Sequence, residues 1–531
     1  MKTPKVPSQE LRGAASRYEQ LRSERDQFLT RAREAAKLTI PSLVPPEGHS
    51  GSDDLYKPFQ SLGSRGVNNL ASKMVMALFP PNTPPFRWKV DDLEMERQLA
   101  ADKEFKSKMD EALAKGERIV QSAIETNHIR TDAFETLKYE IVAGNALVHK
   151  PRKGRMRVYS LSQYVVDRDF SGELLEVILK ETISPSALPA KYQKVIEQSN
   201  KTDSGSPDKN VELFTWVRRL PNGSWNIHQE VKGIILQDSI SSYPKDKCPW
   251  LPLRWTKIQG ENYGRGFIEE LQGDLQSLEG LQRAIVEGSA AGAKVLFLVN
   301  PNGVTNVNDL ATKPNGGFAE GNEADVTTLQ LDKFNDFQVA LKTIEMISAR
   351  LEKAFLVNSS IQRNGERVTA EEIRFLAGEL ETTLGGVYAV QGQEFQLPLI
   401  NILIDGLQAE KKLPKFPSEN LRPTIVTGLE ALGRNNDLTK LDQFLAETAQ
   451  LITPLVEKYM SVGEIFRRRG TALGLDTKGL VKTDEQLAEA AKAEQAQAAM
   501  QSLGPQMISG GAKILDTQTK ASLAPQVPAA A

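Results

Sequence analysis

The chain has 531 residues, room for roughly three or four domains at about 150 residues each. Its composition, 40% hydrophobic and 25% charged, is that of an ordinary globular protein. A net charge of −2 excludes a globally basic nucleic-acid binder, so any DNA contact has to be local, weak or transient.

One cysteine, Cys248, excludes an internal disulfide framework and a cysteine metal cluster. No run of about 18 apolar residues suggests a membrane span. The segment Met1-Lys-Thr-Pro-Lys-Val-Pro7 lacks the apolar core of a signal peptide. The expectation is a soluble protein that stays where it is made until it assembles.

Along the chain, residues 9–38 read as a charged helix rich in Glu, Arg and Ala. Pro45, Pro46, Gly48 and Gly51 break the loop that follows. A helix from about Pro58 to Leu78 stops at Phe79-Pro-Pro-Asn-Thr-Pro-Pro85. Two more helices are expected at about 96–127 and 131–147. Near Arg155 the pattern changes. Arg157–Val166, Glu173–Ile183, Val211–Arg219 and Trp225–Val231 are rich in Val, Ile, Tyr and Trp, with Pro221-Asn-Gly-Ser224 as a hairpin signal. A helical block therefore leads into a β-rich block, which predicts an α+β, mainly α, fold.

From Gly266 the chain is helical again, with Ile268, Leu271, Leu275, Leu278, Leu281 and Ile285 at three- and four-residue spacing. Small residues at Gly288-Ser-Ala-Ala-Gly-Ala293 allow close backbone approach. An irregular stretch, about 294–334, precedes a second amphipathic helix with Phe337, Leu341, Ile344, Ser348, Leu351 and Phe355 on one face. Then comes a polar loop holding Arg363, Asn364, Gly365, Glu366 and Arg367. Thr369 and Glu372 form a capping box that starts the next helix, expected to bend near Gly385-Gly386 and Pro398. Pro414, Pro417 and Pro423 mark a boundary before a small helical region at 430–480. An Ala- and Gln-rich tail follows.

Motifs for chemistry are missing. His49, His128, His149 and His228 are scattered, without metal-ligand spacing. There is no phosphate loop, and Gly264-Arg-Gly266 lacks the third glycine and the βαβ context of a dinucleotide site. No catalytic residue, cofactor or metal is expected, and an enzyme is not the reading. Lys150, Arg152, Lys153, Arg155 and Arg157 form a basic run. It reads either as a solvated turn or as a contact for phosphates or an acidic partner. Arg467, Arg468 and Arg469 pose the same choice; in a helical pattern they fan over different faces.

The stretch Leu356-Val-Asn-Ser-Ser-Ile-Gln-Arg-Asn-Gly-Glu-Arg-Val-Thr369 resembles the channel loop of the head-to-tail connector (portal) proteins of short-tailed phages. Further matches follow in order. They are Ser64-Arg-Gly-Val-Asn-Asn-Leu-Ala-Ser-Lys-Met-Val-Met-Ala-Leu-Phe-Pro80, Val142-Ala-Gly-Asn-Ala-Leu147, Leu161-Ser-Gln-Tyr-Val-Val-Asp-Arg-Asp169, Tyr263-Gly-Arg-Gly-Phe-Ile-Glu-Glu270, Gly273-Asp-Leu-Gln-Ser-Leu-Glu279 and Leu380-Glu-Thr-Thr-Leu-Gly-Gly-Val-Tyr388.

The resemblance implies a dodecameric ring of wing, stem, clip and crown. It maps as wing 1–264, stem helices 265–292 and 336–357 around a clip at 293–335, channel loop 358–368, long wing helix 369–413, crown 414–485 and tail 486–531. It also implies a DNA-packaging and ejection channel at the capsid vertex of the virion, assembled in the host cytoplasm. The implied partners are double-stranded DNA bound without sequence preference, the terminase large subunit, a tail adaptor, major capsid and scaffold proteins and internal core proteins. No membrane is implied. Arg363, Asn364, Glu366 and Arg367 would face the DNA, and Val304 and Phe318 would be exposed docking residues of the clip. In such a ring each arginine becomes a circle of about twelve charges around a duplex carrying one negative charge per roughly 1.7 Å. The alternative is another virion assembly protein, a tail adaptor or an internal scaffold. A scaffold would show more low-complexity helix and no β-rich block, and an adaptor would be shorter.

Overall fold

The computed structural model describes residues 13–81, 84–90, 103–193, 210–292, 296–314, 317–329, 334–357, 378–380, 382–414 and 421–425, with isolated positions beyond. The chain divides into two compact units, Met1–Ala431 and Leu432–Ala531. Nearly all described residues lie in the first unit, which mixes helices with antiparallel sheets as expected. The small helical region at 430–480 and the tail fall almost wholly outside the described residues.

Four helices build the first layer: α1 (Ala14–Leu38), α2 (Leu62–Leu78), α3 (Lys103–Thr126) and α4 (Ile129–Ala143). Helix α4 is central. Ile129, Ala133, Leu137 and Ile141 are fully buried, and so are Thr136 and Glu140 beside them, while Val142 is buried on the opposite side. A helix covered on most sides needs no clean apolar stripe. It ends at Gly144, whose φ of +72° places it in the left-handed region and whose amide donates to the Glu140 carbonyl at 2.8 Å. The helix expected to reach residue 147 therefore stops early, and Asn145–His149 becomes a strand, β2.

β2 is the middle strand of a sheet, between β3 (Arg157–Tyr159) and β9 (Trp250–Arg254). A second sheet is a five-stranded meander: β4 (Tyr164–Arg168), β5 (Leu174–Ile183), β6 (Val211–Arg219), β7 (Trp225–Val231) and β8 (Ile234–Tyr243). The stretch read as one strand, Arg157–Val166, is two strands in different sheets, parted by a turn that the Gln163 amide closes on the Ser160 carbonyl at 3.0 Å. The hairpin at Pro221–Ser224 is present, with Gly223 at φ +83°. The start of α1 lies across the meander. Tyr18 and Leu21 pack with Val165, Ile178, Phe214 and Trp216, while Arg17 pairs with Asp167 and Glu176.

Two long helices follow, α5 (Phe267–Gly292) and α7 (Phe334–Ala354). Between them lie β10 (Leu296–Val299), a short helix α6 (Val307–Thr312) and β11 (Val326–Leu329), with β10 and β11 paired as a ribbon. The next helical run is interrupted at Gly385, φ +52°. It continues as α8 (Gly386–Gln391), a π-turn Gly392–Gln396 and α9 (Leu397–Ala409). The expected bends thus correspond to a broken residue at Gly385 and a π-turn just ahead of Pro398.

A last ribbon pairs β1 (Phe86–Val90) with β12 (Leu421–Ile425). It draws 421–425, part of the segment expected to open the crown, into the first unit, and the division between units comes only after Ala431.

Candidate functional site

The start of α5 is fixed by a seam of bare backbone. A Cβ on Gly144 would sit 2.5 Å from the Arg265 carbonyl carbon and the Gly266 nitrogen, and one on Gly264 would sit 2.7 Å from the Gly144 oxygen. Asn145 stitches the seam: its Nδ2 donates to the Gly264 carbonyl at 2.8 Å, and its Oδ1 accepts from the Gly264 amide at 2.7 Å. The two glycines of Gly264-Arg-Gly266 are therefore there for close packing against the end of α4.

α5 and α7 run antiparallel. Phe267 stacks edge-on against Phe355 at 5.9 Å, Arg350 pairs with Asp274 at 2.7 Å, and Gly288 lets the Phe337 ring approach. Burial along the pair is uneven. Near the rest of the unit, Ile268, Leu275 and Leu278 of α5 and Ile347, Leu351 and Phe355 on the α7 side are buried. Toward the β10–β11 end the cover ends: Val286, Val339 and Leu341 are all exposed, Val339 by 69%. Leu341, expected on the packed face, is thus at the surface, while Ile347, outside the expected set, is buried. A second anchor holds α5 from below. Glu279 accepts hydrogen bonds from the Tyr56 hydroxyl at 2.6 Å and from the amides of Phe59 and Gln60 at 3.0 and 3.2 Å.

Beyond Ala354 the helix gives way to Leu356 at φ +55°. The Phe355 ring lies where a side chain on Gly66 of α2 would be, 2.4 Å from its Cβ position. Asn69 Nδ2 donates to the Phe355 and Leu356 carbonyls at 2.9 and 3.0 Å, and Lys73 Nζ donates to Leu356 at 2.7 Å. Arg363, Asn364, Glu366 and Arg367, the capping residues Thr369 and Glu372, and Arg467, Arg468 and Arg469 lie outside the described residues.

The segment between the long helices is organised around Asp325. Its Oδ2 accepts from the amides of Val304 and Thr305 at 2.9 and 3.2 Å and from the Thr305 hydroxyl at 3.0 Å. Its own carbonyl accepts the Asn300 amide at 2.8 Å. This leaves the Val304 side chain 84% exposed and Phe318 97% exposed. Two apolar side chains stand in solvent on a loop tied at its base.

The basic run is mostly engaged inside the chain. Lys150 is buried and its ammonium closes its own turn, donating to the Pro151 and Gly154 carbonyls at 2.9 Å. Arg152 pairs with Asp405 of α9 at 2.7 Å, next to Lys247 on the same carboxylate. Arg155 pairs with Asp132 of α4 at 2.9 Å. Arg157 and Lys153 remain exposed. Lys150 and Arg155 lie near Asp132 while Arg152 reaches Asp405, so the run is held against α4 and α9.

Sequence reasoning missed a buried polar junction. Glu140 accepts from the Gln391 side chain; beside it Arg254 pairs with Glu394 at 2.5 Å, and Gln396 Nε2 donates to the Leu78 carbonyl at 2.5 Å. Burial pushes Glu140 up to about 8, against a smaller opposing effect of the Gln391 hydrogen bond. The polar cluster Gln391, Gln393, Glu394 and Gln396, just ahead of an apolar helix, was the available signal. Among the described residues no group of three or more His, Cys, Asp or Glu could hold a metal ion, and no helix is long and apolar enough to cross a membrane.

The family model of the bacteriophage head to tail connecting proteins matches residues 11–481. The chain belongs to this family. Among curated relatives, this connector is 41% identical to the portal protein of Escherichia phage T7 over 526 residues, 98% of this chain and 96% of that one. It is 43% identical to the portal protein of Enterobacteria phage T3 over 481 residues, 89% of each chain. The portal protein of Enterobacteria phage SP6 is 32% identical over 80% of the connector and 81% of its own length.

Proposed function

We propose that the connector works as the portal of its virion: a dodecameric ring at the capsid vertex through which double-stranded DNA is packaged and later ejected. In this reading 1–264 with 369–413 form the wing, 265–292 and 336–357 the stem, 293–335 the clip, 358–368 the channel loop and 414–485 the crown. The terminase large subunit docks first and a tail adaptor later, both on the clip, while capsid, scaffold and internal core proteins surround the ring.

The observation that supports ring assembly most is the uncovered outer half of the α5–α7 pair, where Val286, Val339 and Leu341 face solvent. Side chains of this kind on two rigid helices are covered when copies meet head to tail in a closed ring. The clip reading rests on Val304 and Phe318, two exposed apolar side chains on a loop that Asp325 holds rigid. With a net charge of −2, the protein contacts DNA weakly and at many points, which suits a conduit because tight phosphate binding would stall movement.

Light scattering on the purified full chain tests the assembly. The expected result is a closed oligomer of many copies. A protein that stays monomeric at every concentration that supports head assembly contradicts it.

A further inference from the structure

The end of α7 and the helical residues 378–380 are separated in sequence by 358–377, yet one side chain touches both. Lys73 of α2 donates to the Leu356 carbonyl at 2.7 Å, and its ammonium lies 3.6 Å from the Glu379 carboxylate. We propose that Lys73, with Asn69 beside it, is a positioning residue: a buried clasp that ties the end of α7 to the helical residues 378–380 and holds both against α2.

Three features carry this. The carbonyls that close a helix lack partners within it, and here two of them are met by Asn69 and Lys73, the ammonium matching the negative end of the helix dipole. Lys73 is 7% exposed, and a buried ammonium is costly unless its donors are engaged and a counter-charge stands near. Glu379 provides that charge, opposing the downward push of burial on the lysine. Finally, α2 cannot follow a wandering neighbour. Val67, Leu70, Ala71 and Met74 are fully buried, Phe355 is seated over Gly66, and Gln60 ahead of the helix is tied to the Leu38 carbonyl at 2.6 Å. Separating the end of α7 from 378–380 would strip the ammonium of one partner or the other. A shift of either element is therefore felt by the other through one atom, Lys73 Nζ.

The consequence for DNA rests on the reading that the loop between these two ends borders the channel. Holding both ends sets where that loop stands.

Hydrogen exchange on the full-length assembled protein tests the clasp itself, with Lys73→Met and Glu379→Gln as variants. Methionine keeps the length of the side chain and removes the buried charge, so the fold should survive. Each substitution should speed exchange about tenfold at both 353–357 and 378–380, because each frees both flanks. Rescue by Lys73→Arg at both flanks would support the charge as the cause. If Glu379→Gln leaves 353–357 at the wild-type rate, the proposal is overturned. It is equally overturned if Lys73→Met changes only the residues it touches on one side. Should Lys73→Met fail to fold, Glu379→Gln, whose carboxylate is partly exposed, decides alone. DNA retention in filled heads separates the two readings. Faster exchange at both flanks with normal retention keeps the clasp and removes the channel loop from the conduit.

Discussion

Glu140 shows how far a single residue's surroundings can set its chemistry. Its carboxyl is raised from the ordinary 4.5 to about 8 by burial, so the folded protein keeps it protonated at neutral pH while the unfolded chain does not. A raised carboxyl stabilises fully below about pH 4.5, and that contribution declines as pH rises toward 8. The slope is at most about 1.4 kcal/mol per pH unit. Glu140→Gln should therefore flatten the fall in melting temperature between pH 5 and pH 8, measured by thermal scans; an unchanged slope would mean the carboxyl is not the source. Gly144→Ala should cost on the order of 2–4 kcal/mol, since a side chain there is both in the left-handed region and pressed on the Arg265–Gly266 backbone. A lowered melting temperature and poor yield are expected. Arg363→Ala with Arg367→Ala should leave rings intact but alter DNA retention, more visibly at low salt, where exposed charges are less screened. Normal retention at every salt concentration would make the two arginines solvated bystanders. At this scale residue type alone misleads. Lys150 and Arg157 look alike in sequence, yet the first is buried in its own turn and the second is at the surface, and only the fold tells them apart.

At the scale of elements, what the sequence makes visible depends on whether the pattern is set locally. β6 and β7 sit where their Val, Phe, Ile and Trp content and the Asn-Gly turn place them, and α5 follows its three-four spacing. β2 was hidden behind α4 because its five residues continue an apolar run and only the left-handed Gly144 stops the helix. β8 interrupts Ile234, Ile235, Leu236, Ile240 and Tyr243 with Gln237, Asp238, Ser239, Ser241 and Ser242, so its composition is mixed; its pairing with β7 makes it a strand. The π-turn at 392–396 likewise depends on distant carbonyls that Gln396 reaches. Two element-scale predictions follow from exposure. Val286→Asp with Val339→Asp places charge on the uncovered half of the α5–α7 pair, so ring yield in sedimentation should fall sharply while the circular dichroism of the chain is kept. Equal ring yield would remove this face from the interface. Val304→Ser with Phe318→Ser touches no internal contact of the clip, so rings should form normally while binding of terminase or tail adaptor in pull-down weakens. Undiminished binding of both would move the docking surface elsewhere.

Within the first unit, local contacts define the α5–α7 pair, the loop tied by Asp325 and the glycine seam at the end of α4. Membership of the connector family gives the pair its context, and its bare outer half calls for neighbours. Net charge near zero fits a wall that DNA slides along rather than one that grips it. The central claim is assembly into a closed ring around a channel, and electron microscopy of the purified full-length protein tests it most directly. The account predicts rings of uniform diameter with a central hole and twelvefold symmetry in end-on views. Solid particles or open filaments, with no central hole in any view, would contradict it.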